Sequence, residues 1–462
     1  MSNHNPSREN FGSKIGALLA AAGSAVGLGN IWRFPILTGQ NGGAAFILIY
    51  VGCVLLMGIP IMMSEFLIGR HTRANAAGAY RTLAPGTRWN WVGRLAVLSG
   101  FVILSYYSVV AGWTAEYTAM ALGNCFDGKT TTDFPAMFAN FVSNPWRNLF
   151  WTITFMLITH VIVVRGVKSG IEKFSKVMMP ALFIILVVLA ACAITLPGSS
   201  KGIEFLLKPD FSKITGSVVL SAMGQAFFSL SLGLGCLCTY ASYFRDDTNI
   251  GKTALNVSLI DSFVAIMSGF IIFPAVFNAG YAISSNDIGP SLLFITMPNV
   301  LEQSFGNIPI LAYGVSVLFY FLLVVAALTS TISLHEVVTA YVSEEFRMSR
   351  RKAATFVTIA CSLVGIVCAL SFGPLDGIKI FGMSIFDLFD YVSSNIFLPV
   401  GGMLVSIFTG WYLDKKLVHD ELTNRGTLRA PYLRLVIFIL RYFAPIAIAI
   451  ILLNQLGLFR FF

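Results

Sequence analysis

The sequence predicts an all-α polytopic membrane protein of eleven transmembrane helices, the first and sixth of them interrupted at mid-membrane. Three observations carry this. The chain of 462 residues is 56% hydrophobic and only 11% charged, a balance that excludes an ordinary water-soluble globule. Apolar runs of the roughly 20 residues needed to cross a bilayer recur from end to end. Two of those runs carry clusters of glycine and polar residues where a lipid-facing helix should be uniformly apolar.

Taken in order, the predicted spans are 14–37, 44–69, 91–122, 149–165, 174–197, 217–244, 251–280, 308–342, 352–371, 380–411 and 435–457. The first run has no cleavage-site pattern after it and contains Arg33, so it reads as a retained span rather than a signal peptide. Of the 31 Lys and Arg, 22 fall in the N-terminal tail and alternate loops, against 7 on the opposite side. The positive-inside bias therefore places the N-terminus in the cytoplasm and the C-terminus outside a bacterial inner membrane. The net charge of +9 is this topological bias, and a nucleic-acid partner is not expected; the partner surface is lipid. The seven cysteines are scattered, Cys236 and Cys238 form CxC rather than CxxC, and they read as small packing residues. His335, next to Glu336 in the eighth span, reads as a packing or hydrogen-bonding group. No GxSxG, HExxH, P-loop or paired-carboxylate arrangement supports an enzyme, so no catalytic residue is assigned.

The informative places are the breaks. Gly23-Ser24-Ala25-Val26-Gly27-Leu28-Gly29-Asn30 puts three glycines and two polar side chains in the first span, followed by Arg33 and Pro35. Gln225 to Gly235 does the same in the sixth. Packing faces of small residues are the simpler reading. Packing, however, does not ask for Asn30, Arg33, Gln225, Ser229 and Ser231 at one depth. Breaks in the first and sixth spans suggest one membrane domain over 1–462, built of two inverted five-helix repeats, about 14–197 and 217–411, with an extra helix at about 435–457. Interrupted helices at matching positions mark a midplane site where helix N-termini meet an anion and freed carbonyls hold cations. The expected ligand carries a carboxylate and travels with a monovalent cation.

At these residues the chain resembles the neurotransmitter:sodium symporters, a family that also supplies one of the general examples behind the inverted-repeat rule. The resemblance runs through GSAVGLGNIWRFP (23–35), NGGAAFILIY (41–50), SYY (105–107), GQAFFSLSLGLG (224–235), TYASY (239–243), ALTST (327–331) and FDLFDY (386–391). Many members have twelve spans; this chain looks like the eleven-span bacterial type. The resemblance implies import of a small amino acid, coupled to two sodium ions, by alternating access. A substrate-gated channel, or a sensor that binds sodium and amino acid without net transport, are the alternatives.

Carried over residue by residue, the resemblance implies a first sodium site from the carbonyls of Ala25 and Ser229, the side chains of Asn30 and Ser229, and Asp261. A second would use carbonyls of Gly23, Val26 and Ala326 with the hydroxyls of Thr329 and Ser330. Both sets are oxygen-only, as a hard cation prefers. The substrate carboxylate would meet N–H groups near Leu28 and Gly29 and the Tyr107 hydroxyl. Its ammonium would meet carbonyls of Ala25, Phe228 and Ser229 and the Ser231 hydroxyl. Ile103, Tyr107, Phe228, Leu234, Ser330 and Leu334 would line the side-chain pocket, whose apolar character suits a hydrophobic or aromatic L-amino acid. Relatives that carry amines have an Asp at the position of Gly27, so the cargo here should bring its own carboxylate. Arg33 and Asp390 match the outer gate pair, with Tyr107 and Phe228 as a lid. Arg8 and Glu344 match the inner pair, with Ser242 and Tyr243 nearby. Tyr50, Gln225 and Ser229 are counterparts of a chloride site in chloride-dependent members. Asp261 stands as a sodium ligand, as the acid that replaces chloride, or as both, so chloride is not expected to be required. Gly170 and Pro180 flank a stretch of the fifth span expected to unwind and admit water to the second sodium site.

Overall fold

The computed structural model describes residues 9–280 and 291–458. Among them the regular structure is helical, with a single isolated bridge, Ile380 to Met383, and no strand. Nine helices are long and apolar enough to cross a membrane: Ala44–Thr72, Asn90–Leu122, Pro145–Val164, Val167–Ile194, Ile250–Asn278, Pro309–Glu345, Arg350–Leu370, Ile385–Tyr412 and Leu433–Gln455. A tenth is made by Lys14–Ala25 and Leu28–Gln40 if this pair, bent by 61°, counts as one span. The predicted sixth span is not among these ten, because it exists as two short helices, Gly216–Ser229 and Cys236–Ala241, separated by six residues without helical continuity. Length and apolarity give nine to ten candidate crossings among the described residues.

Local chemistry sets the helix starts. The Ser13 hydroxyl accepts from the Gly16 N–H at the head of the first helix, and the Asn249 side chain accepts from Lys252 N–H at the head of Ile250–Asn278. Asn144 and Pro145 open the fourth span in the same way, a side-chain cap followed by proline at the first helical position. The interior is packed around the two broken spans and the third and eighth spans. Large apolar side chains such as Ile184, Leu363 and Ile446 remain exposed on the outer helices, where lipid is the natural solvent.

The stretch between Gly170 and Pro180 is wound. A π-helical turn, Val167–Glu172, runs into Lys173–Ile194, and Pro180 sits inside that helix. Its start is held by the N-terminal segment. The Glu172 carboxylate accepts from the Gly12 N–H at 2.6 Å and the Ser13 hydroxyl at 2.9 Å, and pairs with Lys176 at 2.6 Å. These contacts tie the start of the fifth span to the N-terminal segment, and the unwinding expected from the sequence is not the state seen here.

Candidate functional site

The first break is two residues long. Helix Lys14–Ala25 ends at Val26, Gly27 is extended, and Leu28 starts the next helix. The Asn30 side-chain oxygen accepts from the Gly27 N–H at 2.9 Å, so the break is capped from within. Gly27 is needed for room: a Cβ there would lie 2.5 Å from the Ser330 hydroxyl oxygen. A side chain at this position would require the Ser330 hydroxyl to turn away. The sixth-span break is longer and more strained, with Ser231, Gly233 and Gly235 all at positive φ.

Both breaks meet the seventh span at Asp261, which is fully buried. One carboxylate oxygen accepts from the Asn30 amide at 2.7 Å and the other from Tyr50 at 3.1 Å, while the Ser229 hydroxyl reaches both, at 3.0 and 2.8 Å. Among the described residues no Lys, Arg or His forms an ion pair with this carboxylate. Gln225 is equally buried, yet neither side-chain polar atom has a hydrogen-bond partner. A buried acid ringed only by neutral oxygens and amides is a donor set that fits a hard monovalent cation, since burying such a charge uncompensated is costly.

The second predicted set also assembles. The Val26 carbonyl, released by the break, accepts from the Thr329 hydroxyl at 3.2 Å and the Ser330 hydroxyl at 3.3 Å. Thr329 also reaches the Ala326 carbonyl at 2.9 Å, and Gly23 packs against Thr329. These are oxygen donors again, with no nitrogen or sulfur among them.

Between the two sets lies a cavity of about 120 Å³. All eleven side-chain or backbone positions predicted for the substrate line it: Ala25, Leu28, Gly29, Ile103, Tyr107, Phe228, Ser229, Ser231, Leu234, Ser330 and Leu334. The Tyr107 hydroxyl accepts from the Leu28 N–H at 3.3 Å, which brings together the two groups expected to meet a carboxylate. Trp32, Tyr106, Val110, Phe386 and Leu398 extend the lining beyond the sequence prediction.

The gate residues differ in outcome. Arg33 and Asp390 are not ion-paired within 4.0 Å; the Arg33 guanidinium lies over the Phe228 ring at 4.3 Å. Asp390 instead accepts from Tyr106 at 2.9 Å and Ser394 at 3.2 Å. A cation–π contact and two hydroxyl donors thus replace the expected pair in this conformation. Arg8 lies outside the described residues. Glu344 accepts from the Asn75 backbone and side-chain N–H groups at 2.8 and 2.9 Å, and Tyr243 donates to Glu336 at 2.6 Å.

The sequence reading missed three features. Glu65, buried in the second span, accepts from the Gly233 N–H at 2.7 Å and the Cys238 N–H at 3.3 Å, and so closes the sixth-span break. Its signal was available as a lone acid inside an apolar run. Glu336 pairs not with its neighbour His335 but with Arg350 at 2.5 Å. His335 bonds Thr358 and Thr339, the hydrogen-bonding role expected of it. At the end of the second span, Arg70 and His71 grip Glu421 of the helix Lys415–Leu422. Burial pushes the Glu421 carboxyl up, but the His71 hydrogen bond and the Arg70 charge outweigh it and hold it below its usual range.

Comparison with known proteins agrees with the geometry. A profile of the Sodium:neurotransmitter symporter family matches residues 8–132 and 143–460. The chain is 38% identical over 452 residues to the uncharacterized sodium-dependent transporter YhdH of Bacillus subtilis, covering 98% of each. It is 33% identical over 467 residues to an uncharacterized sodium-dependent transporter of Haemophilus influenzae, covering 99% of this chain and 100% of that one. Its structure is similar to the crystal structure of MhsT in complex with L-phenylalanine, with a TM-score of 0.87 and 42% identity, covering 97% of this chain and all of the other.

Proposed function

Because this chain belongs to the Sodium:neurotransmitter symporter family, we propose that it is a symporter that imports a hydrophobic or aromatic L-amino acid with sodium by alternating access. The observation that carries this reading is the convergence of both helix breaks on one cavity flanked by the buried Asp261 carboxylate on one side and the Val26, Thr329 and Ser330 oxygens on the other. Family and relatives point to a membrane transporter rather than an enzyme. The phenylalanine bound by MhsT supports an amino acid as cargo, as does Gly27, which cannot supply the negative charge an amine would need.

In this reading Asn30, Ser229, Asp261 and the Ala25 carbonyl hold one sodium ion, and Val26, Ala326, Gly23, Thr329 and Ser330 hold a second. Each ion supplies positive charge beside the freed backbone of the breaks. Leu28, Gly29 and Tyr107 receive the substrate carboxylate, and Ala25, Phe228, Ser229 and Ser231 its ammonium. Leu234, Ile103 and Leu334 surround its side chain. Arg33 and Asp390 close the outer side when Arg33 leaves Phe228, and Arg8 and Glu344 close the inner side, with Tyr243 alongside.

The eleven-span, inverted-repeat topology in a bacterial inner membrane, N-terminus in and C-terminus out, completes the proposal. Two sodium ions moving with a neutral zwitterion through about 100 mV supply roughly 4.6 kcal/mol, enough for about three decades of accumulation.

Asp261 takes the place of chloride. Its carboxylate lies among Tyr50 and Ser229, two of the chloride-site counterparts, and leaves Gln225 without a partner. Transport is therefore expected to proceed with gluconate in place of chloride, and Asp261→Ser to make it require chloride. A variant indifferent to chloride, or a wild type that needs it, would overturn this assignment. The function itself is tested by a competition panel of radiolabelled amino acids in proteoliposomes under an inward sodium gradient. Currents far above the coupled flux would favour a channel, and binding without uptake a sensor.

A further inference from the structure

Several cations at the end of the fold proposed to face the cytoplasm are held by an acid. Lys14 pairs with Asp247 at 2.9 Å, Arg81 with Glu345 at 2.7 Å and Lys176 with Glu172 at 2.6 Å. Arg165 and Lys173 are not. Both are exposed, and neither forms an ion pair among the described residues.

These two residues flank the junction of the fourth and fifth spans. Arg165 ends the helix Pro145–Val164, and Lys173 follows the π-helical turn Val167–Glu172. Gly170 lets the two spans meet closely, since a Cβ there would lie 2.1 Å from the Ile162 carbonyl oxygen. Arg165 and Lys173 therefore border one groove, of about 410 Å³, whose walls include Ile162, Phe174, Val177 and Met178. Among the described residues no acid lines it. Lys168, on the turn between the two, is a third exposed cation without an ion pair.

Away from the cations, the two spans present bare hydrocarbon. Leu157 and Val161 of the fourth are exposed one helical turn apart, and Val177, Ile184 and Val188 of the fifth recur at helical spacing. Cations at one end of an apolar stripe match an amphiphile with an anionic head. The Arg and Lys stems can lie along the apolar wall while their charged ends stay at the level of the headgroups. A soluble anion would make no use of the stripe. An apolar face of another chain would leave the cations without a partner.

We infer that this groove binds an anionic phospholipid of the cytoplasmic leaflet, its phosphate held by Arg165 and Lys173 and its acyl chains lying along the exposed faces of the fourth and fifth spans. The lipid bridges the end of one span and the start of the next. It braces from the outside the stretch that Glu172 ties to the N-terminal segment from the inside.

The test titrates purified, delipidated full-length protein in detergent with phosphatidylglycerol or phosphatidylcholine of the same acyl chains, and counts bound lipid by native mass spectrometry. Wild type is expected to bind phosphatidylglycerol at least about tenfold more tightly. Arg165→Gln combined with Lys173→Gln should bring the ratio below about threefold. The same loss of charge at Lys415 and Lys416, exposed in another loop, should leave the ratio unchanged. Hydrogen exchange locates the site: phosphatidylglycerol, and not phosphatidylcholine, should slow exchange over residues 167–176 in wild type and not in the Arg165/Lys173 variant. If that variant melts early, the wild-type ratio and exchange pattern decide alone. Equal affinity for the two lipids, or no slowing at 167–176, overturns the inference. Displacement of the lipid by glycerol phosphate overturns it in favour of a free-phosphate site. A lipid-free dimer that the variant dissolves overturns it in favour of a second copy of the chain.

Discussion

The two helix breaks solve one problem by different means. In a bilayer, each backbone group freed by an interruption must find a partner within the protein. The first break frees few groups: Asn30, three residues on, caps Gly27, and Val26 is met by two hydroxyls of the eighth span. The sixth break spans six residues and places Ser231, Gly233 and Gly235 at positive φ, and it borrows a buried carboxylate, Glu65, from the second span. Gly233 cannot be replaced, because a Cβ there would lie 2.6 Å from the Gly402 nitrogen of the tenth span. The short break is capped in part by its own sequence, whereas the long one is closed by a buried acid of another span.

The largest effect should come from removing that distant residue. Glu65→Ala strands the Gly233 and Cys238 N–H groups, at about 1–3 kcal/mol each, and should lower the melting temperature and abolish measurable substrate binding. Glu65→Gln keeps one acceptor oxygen and should lose less. If Glu65→Ala melts and binds like wild type, the long break does not depend on the second span.

Next in size are substitutions within the short break and its partner helix. Asn30→Ala removes both the Gly27 cap and the proposed ligand of the first sodium ion, while Thr329→Ala removes only the proposed ligand of the second, a hydroxyl on Val26. Both should weaken substrate binding more at low sodium than at saturating sodium, Asn30→Ala by tenfold or more and Thr329→Ala by less. Equal loss at every sodium concentration would show that these residues shape the break without holding an ion.

How much of this was legible follows the same division. Asn30, Gly27, Ser229 and Thr329 stand in short, dense motifs, and the structure gathers them as the motifs led one to expect. Glu65 lies in an otherwise unremarked apolar run, and its contact with Gly233 joins residues 168 positions apart, which no local pattern encodes. The pairing of Glu336 with Arg350 is hidden in a different way, since the sequence presents His335 as its nearest ionisable neighbour, and helix geometry turns adjacent side chains apart. The expected Arg33–Asp390 pair is not formed for a third reason: motifs name residues but not the conformation they are in. The sixth span escapes a length-and-apolarity test because the break that makes it functional also makes its halves short.

The smallest effect belongs to the wall of the cavity rather than to either break. Leu234→Phe adds volume beside the substrate side chain and should penalise L-tryptophan a few-fold more than L-valine or L-leucine in competition binding. An unchanged selectivity order would place Leu234 outside the contact surface with the cargo.

In the proposed cycle both breaks serve one movement of cargo driven by sodium. The most direct measurement is the steady-state accumulation of a radiolabelled L-amino acid in proteoliposomes, before and after an ionophore collapses an inward sodium gradient. Internal amino acid should rise well above the external concentration while the gradient lasts and return to equality once it is gone. Accumulation that survives the collapse, or uptake that never exceeds equality with the gradient intact, would contradict it.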